Sequence, residues 1–218
     1  LANEGRDAFY KGIIAEQIDQ YMKKNGGFLA YEDMSSHKGD WIEPVSTNYR
    51  VYEVWQLPPN GQGIAVLQIL NLMELFDLSD MDSMSPDYVH LFTEMKKIVY
   101  EDRAKYYSDI SFNDIPVVEL ISKEYASKRS ELIDLKNARD SIPAGSPGNY
   151  GDTIYLTTAD SEGNMVSLIQ SNYRGMGSGM TPPGLGFILQ DRGEMFSLDR
   201  AHMNRLEGGK RPFHTIIP

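Results

Sequence analysis

The sequence changes character at the segment RDSIPAGSPGNYG, residues 139–151. Before this segment, apolar residues recur mostly at helical spacing, whereas after it runs such as TIYLTTA and MVSLIQS are typical of strands. The segment itself is rich in glycine, proline and serine, which predicts an exposed and flexible connection. Helices followed by strands favour an α+β layered fold over a doubly wound βαβ sheet.

Four helices and one strand are predicted before this segment. They are helices over residues 9–22, 64–75, 85–107 and 123–135, and a strand over residues 49–57. The third helix has a clear start, because Ser85 is a capping residue and Pro86 suits the first helical position. Its charged residues are expected to face solvent; they are Glu94, Lys96, Lys97, Glu101 and Arg103.

A glycine-rich turn, PPNGQG, joins the predicted strand 49–57 to the helix 64–75. A turn of this kind between a strand and a helix can bind phosphate through its backbone N–H groups. This one lacks both the GxGxxG pattern and the GK[ST] pattern that mark nucleotide sites. We therefore assign no phosphate-binding role to it.

Three strands are predicted after the connection, over residues 153–159, 165–171 and 185–190. The first two flank the turn DSEGN, which predicts a β-hairpin. If Ala159 pairs with Met165, the antiparallel register places Thr153 opposite Ser171, with Cβ atoms roughly 5 Å apart. A slip of one residue would instead place Asn172 opposite Thr153 and turn the side chains to the other face.

Thr153 is a candidate nucleophile because it would become an N-terminal residue if the Asp152–Thr153 peptide bond were cut. A threonine hydroxyl needs a base, and the freed α-amino group has an unperturbed pKa of about 7.7–8, which suits a base near neutral pH. Threonine is also common in strands for conformational reasons. The local pattern alone therefore favours a structural threonine.

Composition excludes several other classes of site. The chain has no cysteine, which excludes disulfides, thiolate metal sites and a cysteine nucleophile. We expect no metal and no cofactor, because the histidines are widely spaced; they are His37, His90, His202 and His214. A net charge of −10 disfavours nucleic acid as a partner. No apolar run is long enough for a membrane span, and no signal-peptide pattern is visible, which leaves the compartment open.

Segments in order along the whole chain resemble the γ-glutamyltranspeptidase family, including its cephalosporin-acylase-like members. They are FYKGIIAEQIDQYMKKNGG, the stretch ending LPPNGQG, ILNLMELFDL, YEDRAKYYSD, DTIYLTTADSEGNMVSLIQSNYRGMGSG, GFILQDRGEMFS and GGKRPFHTIIP. The resemblance implies an N-terminal nucleophile hydrolase fold, a four-layer αββα sandwich, of which this chain represents a part. It also implies a single precursor chain that cuts itself between Asp152 and Thr153.

On this resemblance, residues 1–152 are the mostly helical end of a large-subunit-like region, and residues 153–218 are the mostly strand start of a small-subunit-like region. Thr153 matches the nucleophile of the family, and Ser171 matches a second hydroxyl residue that supports it. The chain is thus expected to be a hydrolase or acyltransferase that acts through an acyl-enzyme on Thr153.

Positions that match the family's substrate-binding residues carry different side chains here. Met195 replaces an acidic residue that binds the substrate's α-amino group, and a methionine cannot accept that hydrogen bond. Arg192 stands at a substrate-contacting position that is usually an amide or an acid. His214 and Thr215 replace a serine pair that holds the substrate carboxylate, and Tyr173 stands where many members carry asparagine. These departures favour an acyl amide other than a simple γ-glutamyl compound.

Two alternatives stay open. One is a true γ-glutamyltranspeptidase acting on glutathione-like donors, and the other is a non-catalytic, unprocessed fragment of such an enzyme. The resemblance also implies a substrate-binding arginine in a region before Leu1 and the glycines of the oxyanion hole in a region after Pro218. The expected partners are therefore a small-molecule amide or γ-glutamyl-like substrate and those further regions of the same protein.

Overall fold

The computed structural model describes residues 1–139 and 153–217, with Thr153 described through its backbone. The described residues divide into two compact units. Unit 1 comprises residues 1–42 and 172–191, and unit 2 comprises residues 43–139, 153–171 and 192–217. Asp152 and the predicted connection, apart from Arg139, lie outside the described residues.

Unit 1 contains three helices beside a small apolar core. They are α1 (Asp7–Tyr10), α2 (Ile13–Lys24) and α3 (Tyr31–Ser36). The single helix predicted over residues 9–22 is wrong, because Gly12 is extended and separates α1 from α2. A Cβ atom at Gly12 would lie only 2.8 Å from the carbonyl oxygen of Ala8, so the close approach requires glycine. The core consists of Ala15, Ile18 and Met34.

Unit 2 contains the larger core, built on four helices. They are α4 (Gly63–Met73), α5 (Pro86–Tyr106), α6 (Val117–Leu120) and α7 (Lys123–Ser130). The helices predicted from residues 64 and 85 are confirmed, and Ser85 caps α5 by accepting the backbone N–H of Tyr88 on Oγ at 3.2 Å. Helix α7 ends before the predicted residue 135. Fully buried core residues include Ile64, Leu67, Leu91, Met95 and Ile98.

The charged side of α5 is less exposed than predicted. Glu94 is buried, and its Oε1 accepts a hydrogen bond from Lys97 Nζ at 2.6 Å. Asp102 is also buried, and its two oxygens accept bonds from Gln68 Nε2 and the Tyr125 hydroxyl, each at 2.9 Å. Burial raises the pKa of Asp102. Hydrogen-bonded partners thus accompany both buried carboxylates of α5, of which the sequence pattern assigns Glu94 to the surface.

Two antiparallel strands, β1 (Val45–Tyr49) and β2 (Tyr52–Gln56), replace the single strand predicted over residues 49–57. The chain reverses at Arg50, whose φ of +56° is unusual for a residue other than glycine. The backbone N–H of Arg50 donates to Glu74 Oε1 at 2.6 Å. This bond to the residue that follows α4 stabilises a turn that has no local sequence signal.

A second antiparallel hairpin consists of β3 (Thr153–Ala159) and β4 (Met165–Ser171). It has the predicted register, from Ala159 with Met165 at the turn to Thr153 with Ser171 at the open end. The hairpin lies in unit 2. Its register is the structural feature that brings two hydroxyl-bearing residues to the same end of a sheet.

Little regular structure follows β4. A 3₁₀ helix covers Arg192–Met195. The strand predicted over residues 185–190 is not formed, because Gly184 and Gly186 take φ values of +81° and +71° that interrupt an extended chain. The regular strands described after residue 152 are therefore β3 and β4. The division of the chain into subunit-like regions at residues 152 and 153 stays a prediction.

The described residues combine helices with two two-stranded sheets, β1–β2 and β3–β4. This combination confirms the predicted α+β class. None of the described helices is both long enough and apolar enough to cross a membrane. The two hairpins differ in how they pack, and the second of them carries the predicted nucleophile.

Candidate active site

Thr153 and Ser171 lie opposite each other at the open end of the β3–β4 hairpin. Residues paired in this way have Cβ atoms roughly 5 Å apart, which is within reach of a hydrogen bond between hydroxyls. Alternation along the strands assigns position 153 to the face that also carries Thr157 and Ser167. On that face the Tyr155 hydroxyl lies 3.0 Å from Ser167 Oγ. One face of the hairpin thus concentrates hydroxyl groups.

Tyr173 lies two residues beyond β4, in unit 1, and its backbone has a φ of +77°. This conformation is costly for tyrosine. Asp191 stabilises it on both sides, because its backbone N–H donates to the Asn172 carbonyl at 3.3 Å and its Oδ1 accepts the Arg174 N–H at 3.2 Å. Sequence reasoning missed Asp191, since no local pattern marks a contact across 17 residues.

Arg192 and Met195 lie at the two ends of the 3₁₀ helix in unit 2. Arg192 is only 7% exposed. Met195 is half-buried and packs against the main apolar core of the unit, and its carbonyl accepts a hydrogen bond from Asn204 Nδ2 at 2.7 Å. This short helix therefore combines a buried positive charge with an apolar side chain.

His214 is partly buried in unit 2. Its Nδ1 accepts the backbone N–H of Ile216 at 3.2 Å, so the neutral ring carries its proton on Nε2. Burial, with a smaller contribution from the positive charge of Arg192, lowers the pKa of His214 to about 4. At neutral pH His214 is therefore an uncharged hydrogen-bond donor.

Thr215 follows His214 and is half-buried. Its carbonyl accepts a hydrogen bond from Gln62 Nε2 at 3.1 Å. Earlier in the same segment, the Phe213 N–H donates to Asn204 Oδ1 at 2.9 Å. Sequence reasoning gave Gln62 and its glycine-rich turn no role, although the glycines were a signal of close approach between segments.

The structure brings together two pairs among the predicted site residues. The strand register pairs Thr153 with Ser171, and the charge of Arg192 acts on His214. Tyr173 belongs to the other compact unit. Chemically, the first pair places two hydroxyl-bearing residues opposite each other, and the second pair combines a cation with a neutral donor, which suit an anionic group.

A model of the gamma-glutamyltranspeptidase family matches residues 1–218, the whole chain. The glutathione hydrolase-like YwrD proenzyme of Bacillus subtilis is 41% identical over 218 residues, which are 100% of this chain and 41% of that protein. The oxamate amidohydrolase proenzyme of Klebsiella pneumoniae is 33% identical over 218 residues, 100% of this chain and 40% of that protein. The chain thus spans about two fifths of the length of these relatives.

The crystal structure of cephalosporin acylase from Bacillus halodurans is also similar, with a TM-score of 0.86 and 43% sequence identity. The similarity covers 97% of this chain and 38% of that one. The names of these three proteins refer to glutathione, oxamate and cephalosporins, which are chemically different. The similarity therefore establishes the family and leaves the substrate to be argued from the site.

Proposed function

This chain belongs to the gamma-glutamyltranspeptidase family, and we propose that it is part of an autoprocessing amide hydrolase or acyltransferase with Thr153 as the nucleophile. The observation that carries the proposal is the β3–β4 register, which pairs Thr153 with Ser171. Two of the relatives are named proenzymes, which supports maturation by cleavage. In this chain the bond to be cut is Asp152–Thr153.

Cleavage frees the α-amino group of Thr153, which takes the proton from Oγ1 as that oxygen attacks the amide carbonyl of the substrate. The tetrahedral intermediate collapses when the ammonium returns the proton to the leaving nitrogen, and an ester between the acyl group and Oγ1 is left. Water, deprotonated by the same amine, then hydrolyses the ester. An amine acceptor in place of water gives acyl transfer. Ser171 supports Oγ1 by a hydrogen bond.

The substrate that fits best is an acyl amide whose acyl chain ends in a carboxylate. The buried Arg192 guanidinium attracts an anion and repels an ammonium group, and Met195 offers no acceptor for an α-amino group. The Nε2–H of neutral His214 and the hydroxyl of Thr215 are suitable donors to a carboxylate. Glutaryl and adipyl amides carry this group.

Maturation of the full-length protein tests the nucleophile. We expect a product whose N-terminal sequence begins Thr-Ile-Tyr-Leu, detected by sequencing and intact mass, and no such product from Thr153→Ala. Ser171→Ala removes one hydrogen bond and should slow the cleavage about tenfold. Thr157→Ala is the matched control, because it alters the same face of the same strand, and it should mature at the wild-type rate.

Two results would decide against this proposal. Cleavage before residue 153 in the Thr153→Ala variant would exclude Thr153 as the nucleophile. A full-length wild-type protein that stays whole and inactive after long incubation would favour the non-catalytic alternative.

Two chromogenic anilides that differ in one group test the substrate. Glutaryl and γ-glutamyl anilides differ only in the α-amino group, so their kcat/KM values measure its recognition directly. We expect the glutaryl compound to be favoured, and Arg192→Gln to reduce that preference about tenfold or more, as expected for a lost charge-assisted hydrogen bond. A wild-type preference for the γ-glutamyl compound would instead favour a true transpeptidase.

A further inference from the structure

The glycine-rich turn PPNGQG binds the backbone of the segment that carries His214. The Asn60 carbonyl accepts the His214 N–H at 3.1 Å, and Asn60 Nδ2 donates to the Pro212 carbonyl at 2.7 Å. Gln62 Nε2 donates to the Thr215 carbonyl at 3.1 Å. The turn therefore fixes the backbone on both sides of His214, across 152 and 153 residues of sequence.

Gly61 makes room for the imidazole ring. A Cβ atom at this position would lie 2.9 Å from His214 Cε1 and 3.5 Å from each ring nitrogen. The φ of Gly61 is outside the left-handed region, so an L-residue fits the backbone here. The position thus requires glycine because of the neighbouring ring, and any side chain there would displace His214.

Helix α5 also contacts the turn. Arg103 Nη1 donates to Gln62 Oε1 at 2.9 Å. The same guanidinium lies 4.0 Å from the ring centroid of Tyr100 and 5.3 Å from that of Phe213, which is adjacent to His214. The main core of unit 2 therefore reaches the His214 segment through Arg103 and Gln62.

We propose that Gly61 and Gln62 are positioning residues, which set how His214 and Thr215 recognise the carboxylate of the acyl chain. This inference rests on the proposed function and adds a specificity determinant to it. Gly61 determines where the Nε2–H of His214 lies, because the ring occupies the space left by its missing side chain. Gln62 holds the backbone of Thr215 and thereby determines where the Thr215 side chain, with its hydroxyl, begins.

A pair of substrates separates positioning from folding in the full-length protein. Glutaryl and valeryl anilides have acyl chains of equal length, and only the first ends in a carboxylate. We expect Gly61→Ala to raise KM for the glutaryl compound about tenfold, with kcat, the valeryl KM and maturation at Thr153 unchanged. Gly208→Ala is the matched control, because no atom lies within 4 Å of its added Cβ, and it should change neither KM.

The His214→Ser background tests whether the ring is the group that Gly61 places. Serine removes the atoms that a Cβ at position 61 would meet, so adding Gly61→Ala there should change the glutaryl KM less than about twofold. Full additivity of the two substitutions would overturn the proposal. Equal effects of Gly61→Ala on the glutaryl and valeryl KM values would overturn it as well.

A second variant covers the case in which Gly61→Ala does not fold. Gln62→Leu removes the bonds to the Thr215 carbonyl and to Arg103 Nη1 without adding an atom beside the imidazole. It should raise the glutaryl KM several-fold while sparing the valeryl KM. An unchanged glutaryl KM would contradict the role of Gln62. If Thr153→Ala retained turnover of both anilides, the proposed function itself would fail. That result is distinct from the KM changes expected of the Gly61 and Gln62 variants.

Discussion

The two hairpins of unit 2 have the same topology and different surroundings. In β1–β2, Thr47 is buried and donates to Asn71 Oδ1 on α4 at 2.7 Å, and Val45 and Val54 pack against the main core. In β3–β4, the strand face that alternates with the hydroxyl face is mostly apolar and open to solvent. It carries Thr158 and Gln170 and four apolar side chains that are 50–74% exposed, which are Ile154, Leu156, Val166 and Leu168.

This difference separates the strand pairing that forms a hairpin from the core packing that fixes its position. Both hairpins form, but only the first is fixed by the core of the described residues. Burying one side chain of the size of leucine contributes about 1.5–3 kcal/mol to stability. The four exposed apolar residues of β3–β4 do not make this contribution. The apolar residues of β3–β4 therefore add little to the stability of the described residues.

The largest expected effect comes from two equivalent deletions of side-chain atoms. In the chain of residues 1–218, Leu67→Ala opens a cavity in the buried core and should lower the free energy of unfolding by about 2–5 kcal/mol. Leu168→Ala removes the same atoms from a side chain that is 55% exposed and should change it by about 0.5 kcal/mol or less. Urea unfolding of both variants measures the contrast.

The same leucine pair in the full-length protein sharpens the comparison. If the apolar face of β3–β4 is covered there, Leu168→Ala should become destabilising by more than about 1 kcal/mol. Cleavage at Thr153 should also slow, because the hairpin would lose part of its support. A neutral effect of Leu168→Ala in the full-length protein would show that this face stays open there as well.

A smaller effect on stability is expected from a change of pH. His214 and the turn of β3–β4 should respond in different pH ranges. The pKa of His214 is about 4 in the folded state and 6.5 in the unfolded state. Between these two pH values the imidazole is therefore protonated in the unfolded state and neutral in the folded state. The free energy of unfolding should therefore fall as pH decreases from about 6.5 to 4, by at most about 3 kcal/mol. Urea unfolding at several pH values should show this loss in wild type and a reduced loss in His214→Gln.

The turn of β3–β4 should respond only at lower pH. The side chain and backbone of Asn164 lower the pKa of Asp160 by hydrogen bonding. Its stabilising contribution is therefore present above the unfolded value of 3.8 and is lost as pH falls below it. Amide exchange that shows the hairpin turn opening between pH 6.5 and 4 would contradict this separation.

The second hairpin was predictable because its determinants are local. Asp160 Oδ1 accepts the N–H groups of Glu162 and Asn164, each at 2.9 Å, and Gly163 supplies a φ of +83° at the turn. These interactions lie within five residues, so alternation and turn chemistry were sufficient to give the register. The Thr153–Ser171 pairing followed from that register.

The first hairpin and the support of His214 depend on distant residues. The turn at Arg50 has no glycine, and its left-handed backbone is stabilised by Glu74, 24 residues away. Gly61 and His214 meet only in the folded chain, so their sequence neighbourhoods show two unrelated motifs. Buried Glu94 differs in part, because its ion pair with Lys97 is local to α5, whereas its burial depends on packing that a helical pattern does not show. These features need tertiary contacts, which one sequence does not display.

The last comparison takes one threonine from each hairpin. Thr47→Val keeps the shape of the side chain but leaves Asn71 Oδ1 buried without its donor, which should cost about 1–3 kcal/mol in the free energy of unfolding. Thr157→Val is the matched change on an exposed strand position, where valine is equally suited to a strand, and it should stay within about 0.5 kcal/mol. Equal costs in urea unfolding would show that the Thr157 hydroxyl is bonded as strongly as that of Thr47, and the contrast between the hairpins would then fail.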